Sequence, residues 1–221
     1  MLELRIDRLA YDKVVVENIR TRVMPGDHVC LLGPSGIGKT TLLNAVAGLV
    51  PRLPENAVVG RDRIRLAYLF QEHRLLPWRT VRQNIRLVGA SDETIDRLLA
   101  DVGLSEHSES LPDQLSLGMA RRAALARCLA IEPDLLLMDE PFASLDAERA
   151  TELRYLIRTL LTRRPRMAMI CVTHDPADAA ELANRLWYLD GAPATLRWDE
   201  RINGVGELGT LLDRLRGVVL A

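Results

Sequence analysis

The feature that most constrains this chain is the segment Gly33-Pro34-Ser35-Gly36-Ile37-Gly38-Lys39-Thr40, which fits the pattern G-x-x-x-x-G-K-[ST]. It lies between the apolar run Val29 to Leu32 and a helical pattern that starts at Thr41. The glycines let successive backbone N–H groups surround phosphate oxygens, and a helix N-terminus adds partial positive charge. A chance glycine-rich turn is disfavoured, because strand, turn, lysine and helix stand in register. The sequence therefore predicts a phosphate-binding loop.

The residue types in this loop predict that it binds a nucleotide and a metal ion. Lys39 reaches the outer phosphates of a bound nucleotide, and the Thr40 hydroxyl is a Mg²⁺ ligand in such loops. Lysine is otherwise present only at Lys13, among 29 basic residues. We expect a nucleotide to be contacted by Gly33, Pro34, Ser35, Gly36, Ile37, Gly38, Lys39, Thr40 and Thr41.

Short apolar runs separated by helical patterns predict an α/β fold. The later runs, Leu135 to Met138 and Met169 to Val172, are apolar throughout, which is typical of strands covered on both faces in a mostly parallel sheet. The first runs, near Val14 to Val16, look antiparallel. We expect a P-loop NTPase core with a mostly parallel sheet, an antiparallel β subdomain and a helical subdomain at about residues 72–130, within one domain of residues 1–221.

Capping residues place the helices of that helical subdomain. Ser91 is a plausible N-cap with Asp92 and Glu93 in the first turn, and Gly103 is a plausible stop. A second helix is expected to begin near Ser116. After Asp190 we expect a short strand and a helix.

Composition limits the classes of partner. The 29 basic and 30 acidic side chains nearly cancel, so we expect no nucleic-acid partner. No run approaches the roughly 18 apolar residues of a membrane span. The three cysteines, Cys30, Cys128 and Cys171, lie far apart in apolar runs, which favours buried, reduced thiols.

The apolar run Leu135 to Met138 ends in two carboxylates, Asp139 and Glu140. Two acids after a strand are, in isolation, most simply an ordinary helix N-terminal pair. Opposite a phosphate loop, however, Asp139 is placed to hold Mg²⁺ and Glu140 to act as the general base for the attacking water. His174 likewise follows a strand, at the edge of an α/β sheet where ligands bind. A lone histidine is more often structural.

Taken with these motifs, four segments resemble the ATP-binding cassette family, the ATPase subunits of ABC transporters. The resemblance covers Leu2 to about Asp190. It implies that Gln71 touches Mg²⁺ or the lytic water and senses a membrane partner, that His174 is the switch histidine, and that Tyr11 stacks on adenine; plain packing is the alternative for Tyr11. The segments are Leu69-Phe70-Gln71-Glu72, Leu115-Ser116-Leu117-Gly118-Met119, Ser144-Leu145-Asp146 and His174 after its strand.

The resemblance also implies a dimer. In the family the signature serine and glycine, here Ser116 and Gly118, contact ATP held by the other subunit, most simply an identical copy. Leu117 and Met119 depart from the family's usual L-S-G-G-Q. Because Leu117 adds bulk where close approach is usual, slower or conditional closure of the dimer is our hypothesis.

The segment from Gln71 to Trp78 is expected to dock a separate membrane permease, because an apolar loop facing solvent is costly; burial inside the helical subdomain is the alternative. The sequence from Leu75 to Val81, followed by Asn84, resembles that of cassettes of nitrate, sulfonate and taurine importers. The segment from Gly118 to Ala124 instead resembles some lipid-trafficking cassettes. We expect an importer ATPase, cytoplasmic and peripheral on the inner membrane face, with a possible solute-binding protein. A lipid-trafficking or export cassette and a non-transport ABC ATPase remain alternatives.

Overall fold

A computed structural model describes residues 1–51 and 53–202 of the chain. They form two compact units, Met1–Gly60 with the chain from Ala168 on, and Arg61–Met167. The strands are β1 (Leu2–Ala10), β2 (Val14–Val23), β3 (His28–Leu32), β4 (Val58–Val59), β5 (Leu66–Leu69), β6 (Leu135–Asp139), β7 (Ala168–Val172), β8 (Arg185–Asp190) and β9 (Thr195–Arg201). The α-helices are α1 (Lys39–Ala47), α2 (Val81–Arg86), α3 (Asp92–Asp101), α4 (Leu117–Leu129), α5 (Ala147–Arg163) and α6 (Pro176–Leu182).

The first unit contains an antiparallel sheet and a mostly parallel one. Strand β1 pairs with β2 on one side and with β4 on the other, antiparallel in both cases. In the other sheet β3 lies between β7 and β8, parallel to both, and β9 closes the edge antiparallel to β8. Every residue of β7 is buried, as expected for a strand covered on both faces. The predicted mixture of antiparallel early strands and parallel later strands is confirmed.

The second unit combines the parallel pair β5 and β6 with helices α2 to α5. Helix α3 begins where the sequence predicted, because the Ser91 hydroxyl accepts from the Thr94 N–H. Gly103 follows the helix at φ +67°, a left-handed conformation that glycine adopts without steric cost. Helices α2, α3 and α4 fall within the range assigned to the helical subdomain, and the single-domain boundary stays a prediction.

Two details refine the expectations from sequence. Helix α1 begins at Lys39 rather than at Thr41, so the lysine itself stands in the first helical turn. The strand expected after Asp190 is β9, whereas the helix expected beyond it falls on residues 203–221, outside the described residues. In the part of the chain that the structure describes, no helix has the length and apolar character needed to cross a bilayer. All three cysteines are buried and unbridged, as predicted.

Candidate functional site

The loop between β3 and α1 is folded around its lysine. Lys39 is buried, and its Nζ donates to the carbonyl oxygens of Gly33 at 2.8 Å and Pro34 at 3.0 Å. These bonds draw the ammonium over the start of the loop instead of out into solvent. The structure thus gathers the glycines and the lysine of the predicted motif into one concave turn.

Two glycines of this loop are required by close contacts. A Cβ on Gly33 would stand 2.5 Å from the Leu189 carbonyl oxygen, and one on Gly38 would stand 2.8 Å from Val15 Cγ1. Gly38 also has φ +110°, which a residue with a side chain rarely adopts. Gly36 differs, because no atom of the described residues lies within 4 Å of its Cβ position. The space above Gly36 is therefore open, as a phosphate cradle requires.

The N-terminus of α1 has the character of an anion site. Its N-cap is Gly38, which offers no side chain, and its first turn contains no acidic residue. The backbone N–H groups there point outward together with the positive end of the helix dipole. An anion placed at this turn would be held by those N–H groups and by Lys39. Thr40 is exposed beside the lysine.

Tyr11 lies in the turn between β1 and β2 and is 57% exposed. Val15 and Val16, just after this turn, are the residues that pack on Gly38. The hairpin that carries Tyr11 is therefore next to the phosphate loop. Tyr11 is thus not packed into the core, and its stacking on adenine stays a prediction.

His174 stands at the same sheet edge as the loop. Its strand β7 is parallel to β3, with Leu31 opposite Val172, so both strands end side by side. The Thr173 hydroxyl is hydrogen-bonded to the buried Asp178 carboxylate and accepts from the Asp175 N–H at 3.1 Å. This network fixes the turn that presents the exposed His174. Asp178 was not singled out from the sequence, since only its spacing after Asp175 marks it.

In the second unit the acidic pair and Gln71 share one edge. Strands β5 and β6 are parallel, and Leu69 is opposite Met138. Asp139 is the last residue of β6, and Gln71 lies two residues after the end of β5. Asp139 is buried and Gln71 exposed. Burial and the negative charge of Asp139 together raise the pKa of Tyr68, which keeps the phenol neutral.

Glu140 has an unusual backbone for a non-glycine residue, with φ +46°. This left-handed conformation turns the chain sharply after β6, and the Ala143 N–H donates to the Glu140 carbonyl at 3.1 Å. Such residues cluster at active sites because the surrounding structure must hold them. Sequence patterns do not reveal this feature, since the left-handed region is predicted for glycine or asparagine.

The signature segment begins α4. Ser116 is its N-cap, and the hydroxyl oxygen accepts from the Met119 N–H at 3.3 Å, which leaves its own O–H able to donate. Leu117 is 42% exposed. A Cβ on Gly118 would meet only Arg149 Cδ at 3.7 Å and Leu145 Cδ2 at 4.0 Å, both ordinary contacts. Packing within the chain therefore does not explain the glycine.

The segment proposed for docking is divided between core and surface. Leu75 is buried, whereas Trp78 is 70% exposed. The fully buried Asn84 accepts from the Leu76 N–H at 2.8 Å, and its Nδ2 donates to the carbonyls of Leu76, Arg79 and Thr80. The loop that carries Trp78 is thus fixed from inside by one amide. Sequence reasoning used Asn84 only for resemblance and did not identify this role.

The geometry first defines a class. A glycine cradle at an uncapped helix N-terminus, a buried lysine bonded into it, and a core strand ending in a buried aspartate are the parts of a P-loop nucleotide-binding protein. In the described residues no group of three or more His, Cys, Asp and Glu could hold a metal ion.

Comparison with known proteins then gives the family. Residues 16–143 match the family described as ABC transporter. The chain is 43% identical over 213 residues to the aliphatic sulfonates import ATP-binding protein SsuB 2 of Burkholderia cenocepacia. The match covers 91% of this chain and 77% of that protein. The protein of the same name from Pseudomonas syringae pv. tomato is 40% identical over 202 residues, covering 88% and 84%. The dimeric bacterial ABC transporter cassette MJ0796 superposes with a TM-score of 0.76 at 26% identity, covering 92% of this chain and 100% of that one.

The chain belongs to the ABC transporter family, as one of its ATP-binding, ATP-hydrolysing subunits. The resemblance drawn from Gln71, Ser116 to Gly118, Asp146 and His174 is thereby confirmed at the level of family and fold. The solved cassette MJ0796 is a dimer, which agrees with the dimer that the signature motif implied.

Proposed function

We propose that this chain hydrolyses ATP to energise the import of a small organic anion, an aliphatic sulfonate, through a separate membrane permease. The proposal of ATP hydrolysis rests on the loop at the uncapped start of α1. In this loop Lys39 is hydrogen-bonded to the carbonyls of Gly33 and Pro34. The solute and the direction are inferred from the two import proteins reported above. They favour an importer over the lipid-trafficking alternative.

The first unit supplies the groups that bind ATP. Lys39 and the N–H groups from Gly36 to Thr41 contact the phosphates, and the charge of Lys39 neutralises the terminal one. The exposed ring of Tyr11 stacks on adenine. His174 donates to the phosphate that is transferred, and the network of Thr173 and Asp178 orients it.

The second unit supplies the groups that act on water. The Glu140 carboxylate accepts a proton from water as the water oxygen bonds to the terminal phosphorus and the bond to the bridging oxygen of ADP breaks. Gln71 orients that water. We expect Thr40, Gln71 and Asp139 to hold Mg²⁺, because each supplies an oxygen donor and Asp139 is a buried carboxylate. When bound, the ion neutralises phosphate charge.

The site is completed by a second, identical copy. The Ser116 hydroxyl and the N–H of Gly118, at the start of α4, contact the terminal phosphate of the ATP that the other copy holds. Support comes from the room left at Gly118 and from the exposed Leu117. Leu117 adds bulk at this surface, so closure is slower than with glycine there. Closing on ATP and opening after hydrolysis is the motion passed to the permease.

The permease docks on the surface from Gln71 to Trp78. The 70% exposed indole of Trp78 is the anchor, because a large aromatic ring held in water is otherwise unfavourable. Docking places the chain on the cytoplasmic face of the membrane as a peripheral subunit. A solute-binding protein outside delivers the anion to the permease.

Co-expression with a candidate permease from the same source tests the proposal. We expect the two to co-purify, and the complex to hydrolyse ATP faster when a sulfonate such as taurine and the solute-binding protein are added. As a control, the Glu140→Gln complex should assemble and show no stimulation. Purification of the chain without any membrane partner, or stimulation by lipids alone, would contradict the importer assignment.

A further inference from the structure

Arg121, on helix α4, is a buried cation that donates to a neutral backbone carbonyl. It is 5% exposed, and its Nη1 donates to the Pro141 carbonyl oxygen at 2.5 Å. Its Nε is buried without a hydrogen-bond partner. Burial lowers the pKa of this guanidinium, which shows that the protein environment opposes its charge. A buried charge bonded only in part is destabilising, so its presence indicates a local role rather than a contribution to stability.

The carbonyl that Arg121 holds belongs to the residue directly after Glu140. Glu140 is in the left-handed region at φ +46°, a conformation that persists only where neighbouring bonds fix it. One bond acts from within the turn, from the Ala143 N–H to the Glu140 carbonyl at 3.1 Å. The Arg121 bond acts from outside, on the Pro141 peptide. The direction of the Glu140 carboxylate therefore depends on Arg121.

The same helix carries the signature serine and a tie to the segment after Gln71. Ser116 caps α4 five residues before Arg121, about 7.5 Å along a rigid helix. Farther along, Arg127 donates to the carbonyls of Arg74 at 2.9 Å and His73 at 3.1 Å. One helix thus begins at the signature serine and is tied by side-chain bonds to the backbone of two other functional segments.

We propose that Arg121 is a positioning residue that couples the two ATP sites of the dimer. The inference rests on the proposed function, in which Ser116 contacts the nucleotide of the other copy while Glu140 acts on the nucleotide of its own. When Ser116 closes on the partner's ATP, α4 shifts, and the bond to Pro141 transmits the shift to the backbone of Glu140. Each site then aligns its base only when the other site closes.

The test compares Arg121→Met with Arg122→Met in the full chain. Methionine keeps the length and apolar packing of arginine but donates no hydrogen bond. Arg122 is the matched control, because it lies on the same helix and its Nη1 donates to the Val102 carbonyl at 3.4 Å, in a different segment. ATP hydrolysis is measured against ATP concentration, with ADP affinity and thermal unfolding in parallel.

We expect the parent protein to show a Hill coefficient above about 1, within the limit of about 2 for two sites. Arg121→Met should lower kcat about tenfold or more and bring the Hill coefficient to about 1, with ADP affinity within about twofold. Arg122→Met should keep both values. A purely structural role would instead change stability and ADP affinity together.

Two results would overturn the inference: Arg121→Met with an unchanged Hill coefficient, or the same loss in both variants. If Arg121→Met does not fold, Arg121→Gln decides by the same criteria, since its polar head is too short to reach Pro141. A separate measurement tests the proposed function itself. If that function is wrong, Glu140→Gln will not dimerise with ATP, although its Arg121 is intact.

Discussion

The ammonium of Lys39 lies 2.8 Å from the carbonyl oxygen of Gly33, so the lysine at the end of the phosphate loop is hydrogen-bonded to its first residue. A second bond of 3.0 Å to the Pro34 carbonyl completes the closure. The loop is thereby preorganised around a positive charge before any phosphate arrives, which reduces the ordering that binding requires.

Lys39→Ala is expected to lower ATP hydrolysis at least a hundredfold, because it removes the charge that stabilises the transferred phosphate. The matched control is Lys13→Ala, which changes the other lysine of the chain, an exposed one. Hydrolysis by purified proteins and binding of a fluorescent ATP analogue are the measurements. Unchanged affinity and turnover in Lys39→Ala would remove the loop from the site.

Gly118→Ala separates folding from assembly. The added methyl meets atoms no closer than 3.7 Å within the chain, and alanine is favoured over glycine in a helix by about 1 kcal/mol. We therefore expect equal or higher thermal stability together with turnover reduced about tenfold, because the methyl occupies the approach to the partner's ATP. If turnover is unchanged or rises together with the thermal stability, Gly118 acts only as a residue of the helix and does not make room for the partner's ATP.

Asn84→Ala should remove the side-chain partner of the Leu76 N–H and of the Arg79 carbonyl, whereas the carbonyls of Leu76 and Thr80 keep backbone donors. The cost is about 1–3 kcal/mol for unsatisfied buried groups, which urea unfolding would measure. The isolated subunit should keep its ATP turnover within about twofold, while stimulation by the permease is lost, because the loop no longer presents Trp78. Trp78→Ala is the companion variant, with the same loss of stimulation at normal stability. Full stimulation in both would place docking elsewhere.

His73 gives the fold a defined pH dependence. Burial lowers its pKa below the usual value of 6.5, and the charges of Arg127 and Arg121 lower it further. Since the unfolded chain then binds the proton more readily than the folded one, stability decreases as the pH falls through and below 6.5. His73→Asn, which keeps an acceptor for the Leu75 N–H, should flatten this decrease in urea unfolding between about pH 7.5 and 5.5. Identical slopes would refute the assignment.

The sequence predicted the parts of this protein that depend on neighbouring residues. Ser91 was placed correctly as a helix cap and Ser116 near the start of a helix. The loop at Gly33 to Thr40 was recognised because strand, glycines and lysine are contiguous. These features follow from local backbone chemistry, which a linear pattern records.

The roles that were missed depend on contacts made by the fold. Arg121 and Arg122 are adjacent and have the same helix propensity. Arg121 is nevertheless buried, because the fold brings the Pro141 carbonyl, twenty residues away in the chain, next to it. The left-handed backbone of Glu140 has no signature either, since its neighbours hold it. Asn84 is similar, because only the folded loop shows that one amide serves four backbone groups.

The central claim is that two copies enclose ATP between them, and Glu140→Gln tests it most directly. Removing the base leaves the binding groups in place, so the variant should bind ATP and hardly turn it over. Glu152→Gln, the same change at an exposed position on α5, should behave as the parent. Light scattering of Glu140→Gln is measured without nucleotide, with Mg-ADP and with Mg-ATP. The account predicts the mass of two copies with Mg-ATP alone, whereas a single copy under saturating Mg-ATP would contradict it.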